Sequence, residues 1–239
     1  MTLLRTGIFL LAILWLPLAA SAAPTGRAVI AQGVDPTTLD MANQSESPAS
    51  NVGRHIFDTL YERDTNLKVV PVLATEMPKL VAPTTWEVKL RKGVKFHNGE
   101  EFDAESAKWS LERLAQGQGK LRGATFFAPI DRVEIVDPHT IRVHTKKPWP
   151  TFAVLMTFVQ GGMCPPKAYK DKDTTFITRN PIGTGPYKFV RWQRTRRSSS
   201  TPTTTISGAR PRSRRSSSGR SLTMRCASRR SRTARSTSR

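Results

Sequence analysis

The side chains best suited to chemistry in this 239-residue chain are four histidines, His55, His97, His139 and His144, and the cysteine Cys164. No H-E-x-x-H pair links the histidines, and no cysteine and histidine spacing matches a zinc site. His97 and His139 stand beside predicted turns, where a solvated imidazole is expected. Cys164 sits in GGMCPPK without a neighbouring base, and no G-x-S-x-G elbow presents a serine, so a packed free thiol is its plain reading. IGTGPY lacks the Lys and Ser/Thr of a phosphate loop, and Pro186 blocks immediate entry into a helix. Glu100, Glu101, Asp103 and Glu105 could in principle do acid–base work, but they bracket a predicted helix start, where carboxylates favour the positive end of the dipole. These spacings point away from an enzyme, and no metal or cofactor is expected.

The elements that must position these residues alternate between two periods. RAVIAQGVDPTTLD reads as a buried strand, Ala28 to Ala31, running into a Gly and Pro turn. SPASNVGRHIFDTLYER is an amphipathic helix with Ser47 as N-cap and Pro48 in the first helical position, its apolar stripe formed by Val52, Ile56, Phe57 and Leu60. Trp86, Val88 and Leu90 alternate with charged residues, as a half-buried strand requires, and Val94 and Phe96 carry the alternation into the Asn98-Gly99 turn. Asp103 then caps a helix striped by Ala107, Leu111 and Leu114. Val133/Ile135 and Ile141/Val143 form a β-hairpin around Asp137-Pro138-His139, and TFAVLMTF suits a short helix. Interleaved strands, helices and hairpins predict a mixed α/β body with α+β character and a partly antiparallel sheet.

The two ends differ from this body. MTLLRTGIFLLAILWLPLAASAAP has a basic n-region at Arg5, an apolar run from Ile8 to Leu18 and small residues at Ala20-Ser21-Ala22, the pattern of a cleavable signal peptide over residues 1–22. The run is shorter than the roughly 20 apolar residues that span a bilayer. Export is expected, and no cysteine beside the cleavage site supports a lipid anchor. Of the 38 Lys and Arg residues, 13 fall in 195–239, so the first 194 residues hold 25 against all 18 Asp and Glu, a net charge of +7. The formal +20 therefore averages two unlike segments. The tail also holds 13 Ser and 8 Thr and no aromatic residue, a composition that predicts disorder. Its arginines would suit nucleic-acid or anionic-surface binding, but single-strand binders add aromatic platforms, and none occur there.

Several stretches together resemble the family-5 extracellular solute-binding proteins of ABC importers, a group with dipeptide-, oligopeptide- and nickel-binding members. They are DPTTLD, HIFDTLYERD, VVPVLATEM, WEVKLRKGVKFHNGEEFDAESAKWSLER, DPHTIRVHTKKPWPTF and NPIGTGPYKFVRW, in the family's order over residues 28–192. The resemblance implies the N-terminal part of a periplasmic-binding-protein type II-like fold that closes on a small solute, most often a peptide, and delivers it to a membrane permease. It implies a monomer with no nucleic-acid partner. It assigns 23–44 to the first strand and loop of lobe I, 45–178 to an extra α/β domain and 179–194 to the return into lobe I. The loop after the first strand lies near the cleft in this family, so Ser45, Glu46, Ser47, Pro48, Ala49 and Ser50 are ligand candidates, with Gln160, Gly161 and Gly162 as weaker ones.

The tail also reads as a shifted frame. If each codon's first two bases were the last two of an original codon, TTISGA at 204–209 decodes to D-D-Y-F-W-G, and residues 224–238 decode to N-A-V-R-V-A-A-L-K-N-G-E-V-D-V. The second string resembles a stretch that family-5 proteins carry downstream of GTGPY. A frame change near Gln193–Arg197 is the reading these matches favour over a functional arm, and it predicts a chain impaired in enclosing its solute.

Overall fold

The computed structural model describes residues 27–117, 119–193, 203–209 and 219–226; the expected signal peptide lies outside them. Strand β1 (Arg27–Gln32) leads through a 3-10 turn at Met41–Asn43 into helix α1 (Ser47–Ile56). Strands β2 (Tyr61–Arg63) and β3 (Val69–Pro71) pair with each other. Then come β4 (Lys79–Ala82), β5 (Thr85–Lys89), α2 (Ala104–Gln116), the single turn α3 (Ala124–Phe127), β6 (Ile130–Asp137) and β7 (Thr140–Thr145). Short helices α4 (Phe152–Leu155), α5 (Pro166–Tyr169) and α6 (Thr174–Arg179) follow, with a 3-10 turn at Val159–Gly161. The order closes with β8 (Lys188–Gln193), β9 (Thr203–Ala209) and β10 (Gly219–Cys226).

The alternating runs become the antiparallel sheet β4-β5-β7-β6. Val88 faces Ile141 across β5 and β7, and Val143 faces Val133 across β7 and β6; all four are buried. Asp137 accepts the His139 N–H at 2.7 Å and tightens the hairpin turn. Helix α2 covers the sheet with Ala107, Leu111 and Leu114, and Asp103 caps it by accepting the Ser106 N–H at 2.9 Å. Glu112 accepts the Val133 N–H at 3.0 Å, which ties the helix to β6. Trp86 stacks on Phe152 with ring centroids 5.1 Å apart. Each fully buried large apolar side chain here contributes about 1.5–3 kcal/mol.

A second apolar cluster gathers Leu39, Met41, Val52, Ile56, Phe57, Tyr169 and Ile177, so α1 packs on the loop after β1 and on α5 and α6. The second sheet, β1-β10-β9-β8, is mixed: β1 and β10 run parallel, and the other neighbours antiparallel. This is the mixed α/β architecture that the interleaved periods imply.

Three local expectations are corrected. Glu46, in extended backbone, precedes the first turn of α1, and Ser47 is already helical, so Ser47 is not the N-cap. The carboxylate of Glu46 turns back to accept from the Thr37 hydroxyl at 2.8 Å instead of capping. His97 is half-buried and hydrogen-bonded rather than solvated, and the Nδ1 of His139 is buried without a partner. Disorder throughout 195–239 does not hold at Thr203–Ala209 and Gly219–Cys226. Strand formation there needs only backbone bonds to β1, β8 and each other, and the tail's threonines and Ile206 favour extended backbone.

GTGPY at 183–187 is seated on the carboxyl end of α1. The N–H groups of Gly185 and Tyr187 donate to the carbonyls of Ile56 and His55, each at 2.9 Å, which satisfies acceptors that a helix end leaves open. On the other side, the His97 N–H donates to the Gly183 carbonyl at 2.9 Å. A Cβ at Gly183 would lie 2.2 Å from the Ile56 oxygen, and one at Gly185 2.6 Å from the Ile56 carbonyl carbon, so backbone must approach backbone here. Gly183→Ala and Gly185→Ala should each cost about 1–3 kcal/mol in urea melts, whereas Gly33→Ala, with nothing within 4 Å of its Cβ, should be near neutral.

Candidate functional site

The loop between β1 and α1 is held by a buried ion pair. Arg113, on α2, grips Asp40 in bidentate fashion, Nη1 to Oδ1 at 2.9 Å and Nη2 to Oδ2 at 2.5 Å. Asp40 is 1 % exposed and Arg113 16 %, so the pair is shielded from water. Burial opposes the Arg113 charge, but the hydrogen bonds and charge of Asp40 outweigh it and raise its pKa. The Asp40 N–H also donates to Thr38 Oγ1 at 3.0 Å, and Thr38 shares a 2.7 Å hydroxyl bond with Thr178 of α6. Arg113 lies over the Trp109 ring at 5.7 Å. No spacing in the sequence marks Asp40 and Arg113 as partners, because 73 residues separate them.

On this loop and the start of α1, Ser45 and Ser47 are exposed, whereas Glu46, Pro48 and Ser50 are half-buried. Ala49 is fully buried in the second cluster. Ser50 donates its hydroxyl to the Glu46 carbonyl at 3.0 Å. Gln44, fully buried, accepts the Glu46 N–H at 2.9 Å and keeps Nε2 without a partner. The weaker trio packs tightly. Gln160 is 9 % exposed; a Cβ on Gly161 would meet Phe127 at 2.9 Å, and one on Gly162 would meet Phe57 at 2.8 Å. Gly123, whose N–H donates to Ala42 at 3.0 Å, wedges between Ala42 and Gln160, so the fold brings the two candidate segments toward each other.

The remaining reactive types are occupied structurally. Cys164 is buried against Ser110, whose Oγ accepts the Cys164 N–H at 3.0 Å, and burial pushes its thiol up to about 12. His144 bonds Glu134 at 2.7 Å and Thr85 at 3.2 Å on an exposed strand face. Asp103 is a cap, and Glu100 accepts from the Asn98 amide at 2.6 Å beside the Gly99 turn. Among the described residues, no group of three or more His, Cys, Asp or Glu is placed to hold a metal ion. An open groove of about 990 Å³ runs between α6 and β8, with Thr37, Thr38 and His97 on its walls.

His97 closes the seam below this groove. Its Nε2 donates to the Gly185 carbonyl at 2.9 Å while Nδ1 faces the Gly183 N–H at 3.4 Å, which suits a neutral ring. Burial lowers its pKa, the Gly185 bond and Asp58 oppose that shift, and Lys188 adds to it.

The model of the family described as bacterial extracellular solute-binding proteins, family 5 middle, matches residues 68–200. The chain belongs to that family. The glutathione-binding protein GsiB of Pectobacterium atrosepticum is 34 % identical over 170 residues, covering 70 % of this chain and 32 % of that protein. The chain thus spans about a third of the length of that curated relative. The oligopeptide-binding protein AppA of Bacillus subtilis, solved with a nonapeptide, aligns with a TM-score of 0.72 at 18 % identity over 85 % of this chain and 40 % of its own. NikZ of Campylobacter jejuni, solved with Ni(L-His), gives a TM-score of 0.70 at 22 % identity over 84 % and 39 %. These likenesses show the periplasmic-binding-protein fold. Nothing in them supports nucleic-acid or anionic-surface binding through the tail.

Two measurements probe the polar contacts that hold this loop and the seam at GTGPY. Arg113→Met leaves Asp40 charged and buried, so it should cost about 3–5 kcal/mol in a denaturant melt. Adding Asp40→Asn should recover most of that loss. The folded-state pKa of His97 is depressed, so the unfolded chain binds the extra proton. Stability present above the ordinary imidazole range is lost as pH falls through it. His55, also lowered by burial, acts in the same direction. Thermal melts between pH 7 and pH 5 should therefore fall less steeply for His97→Gln than for the unaltered chain.

Proposed function

We propose that this family-5 chain is a periplasmic substrate-binding component of an ABC importer, a monomer that captures a peptide or other small solute for a membrane permease and does no bond chemistry. The observation that carries the reading is the family match across residues 68–200, which takes in GTGPY, the segment seated on the end of α1. The GsiB relative, a glutathione-binding protein, and AppA with its bound nonapeptide favour a peptide-type solute. In this reading residues 1–22 are a cleaved signal peptide, 23–44 and 179–194 belong to lobe I, and 45–178 form the extra α/β domain. Among Ser45–Ser50, the exposed Ser45 and Ser47 are best placed to touch the solute, with Glu46, Pro48 and Ser50 beside them and Ala49 buried beneath. Gln160, Gly161 and Gly162 support that loop from behind. The frame changes near Gln193–Arg197, so the chain as translated is impaired in enclosing its solute.

Restoring the alternative frame after codon 192 and titrating both products with glutathione and with short peptides, by calorimetry, tests this reading. The restored protein should bind at least one of them, and the 239-residue chain should release no measurable heat. A restored frame that stops early, or a longer product that binds no solute, would count against it.

A further inference from the structure

We propose that the groove between α6 and β8 is a binding site for a small, multiply charged oxyanion, a carboxylate or phosphate compound. Arg179, Lys188 and Arg191 supply its cations, and Thr174, Thr175 and Thr178 line it with hydroxyls. No Asp or Glu is among its lining residues. Some basic side chains elsewhere have acidic neighbours: Lys79 and Lys89 share Glu76, and Arg142 meets Glu87 at 3.1 Å. Arg179, Lys188 and Arg191 have no ion pair among the described residues, although they converge on one opening. Gathering like charges without a counter-charge is unfavourable, and an anion reverses the sign of that term.

The wall opposite the helix adds donors of a second kind. Strand β8 is the edge of its sheet and pairs with β9 alone. Five consecutive residues, 188–192, line the groove, as they do when the edge of a strand rather than one face borders an opening. Backbone N–H groups on that edge can meet the same oxyanion as the guanidinium groups do. The Thr38–Thr178 hydroxyl bond braces the groove from below, and the charge of Lys188 extends to His97 on its far wall. None of Ser45–Ser50 or Gln160–Gly162 lines this groove, so the site stands apart from solute capture by that loop and does not rest on it.

Trp192, on the rim, donates its indole N–H to Asp35 at 2.9 Å and offers a local reporter. The full 239-residue chain is titrated with citrate and, separately, with pyrophosphate while the Trp192 indole signal is followed by nitrogen-15 NMR, assigned with Trp192→Phe. A saturable shift is expected, and the tighter probe names the preferred group. Lys188→Gln with Arg191→Gln should weaken it roughly tenfold, the loss of two exposed charge-assisted contacts. Arg229→Gln with Arg230→Gln in the tail should leave it unchanged. Should the groove variant lose its fold by circular dichroism, Arg179→Gln alone must still weaken binding. A signal that saturates with neither probe, or one weakened equally by the tail variant, overturns the site.

Discussion

Backbone hydrogen bonding at the carboxyl end of α1 is the constraint from which the placement of the later elements follows. A helix end leaves several carbonyls without intrahelical partners, and buried ones must find donors elsewhere. Here the Ile56 and His55 carbonyls take the N–H groups of Gly185 and Tyr187. The contact is so close that a Cβ at Gly183 or Gly185 would overlap the Ile56 peptide group. Because β8 begins at Lys188, immediately after this contact, the seam also sets where the edge strand of the second sheet starts. Thr184, donating to Asp58 at 3.1 Å, and the Tyr187 ring, edge-on to His55 at 5.5 Å, extend the same contact with side chains. His97 then joins the seam to the turn at Asn98-Gly99, so one short segment locks together α1, the hairpin-like turn before α2, and β8.

The Asp40–Arg113 pair links the two apolar clusters in a different currency. Arg113 projects from α2, whose apolar stripe belongs to the first cluster, while Leu39 and Met41 beside Asp40 belong to the second. Burying two charges costs several kcal/mol per ion, and only a bidentate geometry with further hydrogen bonds offsets it. The arrangement is therefore directional: it fixes the loop after β1 at one distance and one angle to α2. Apolar contacts alone tolerate sliding, whereas a two-pronged bond does not. A loop held this way can present Ser45 and Ser47 outward without being ordered by a solute.

The body was legible where local period and burial agree. Val88 and Leu90 face the core as their alternation implies, Ala107, Leu111 and Leu114 form the buried stripe of α2, and Asp103 caps that helix as its type and place suggest. Long-range polar contacts were not legible. Asp40 with Arg113, and His97 with Gly183 and Gly185, join residues 73 to 88 positions apart, and no periodicity records such pairs. Ser47 failed as a cap for a local reason, since the preceding Glu46 already holds extended backbone and Thr37 holds its carboxylate. The candidate site was half legible: the family resemblance nominates the segment, but packing decides that Ser45 and Ser47 face outward and that Ala49, Gly161 and Gly162 do not.

The tail shows how composition over a long window hides local pattern. Averaged over residues 195–239, thirteen arginines and no aromatics speak only of disorder. Within that window, Leu222, Met224 and Cys226 alternate with Thr223 and Arg225, the period of a strand, and they fall in β10. Strand pairing is carried by the backbone and asks little of side chains beyond extended conformers. Parallel pairing of β10 with β1 and antiparallel pairing with β9 thus continue the sheet from either edge. Side-chain burial asks more, because a strand's two faces must match what lies on each side, and a one-residue slip exchanges them. A segment read in another frame can meet the first demand by chance far more easily than the second. Strands at 203–209 and 219–226 are therefore compatible with a frame change near Gln193–Arg197, and the presence of pairing there is no argument that those side chains were selected for this sheet.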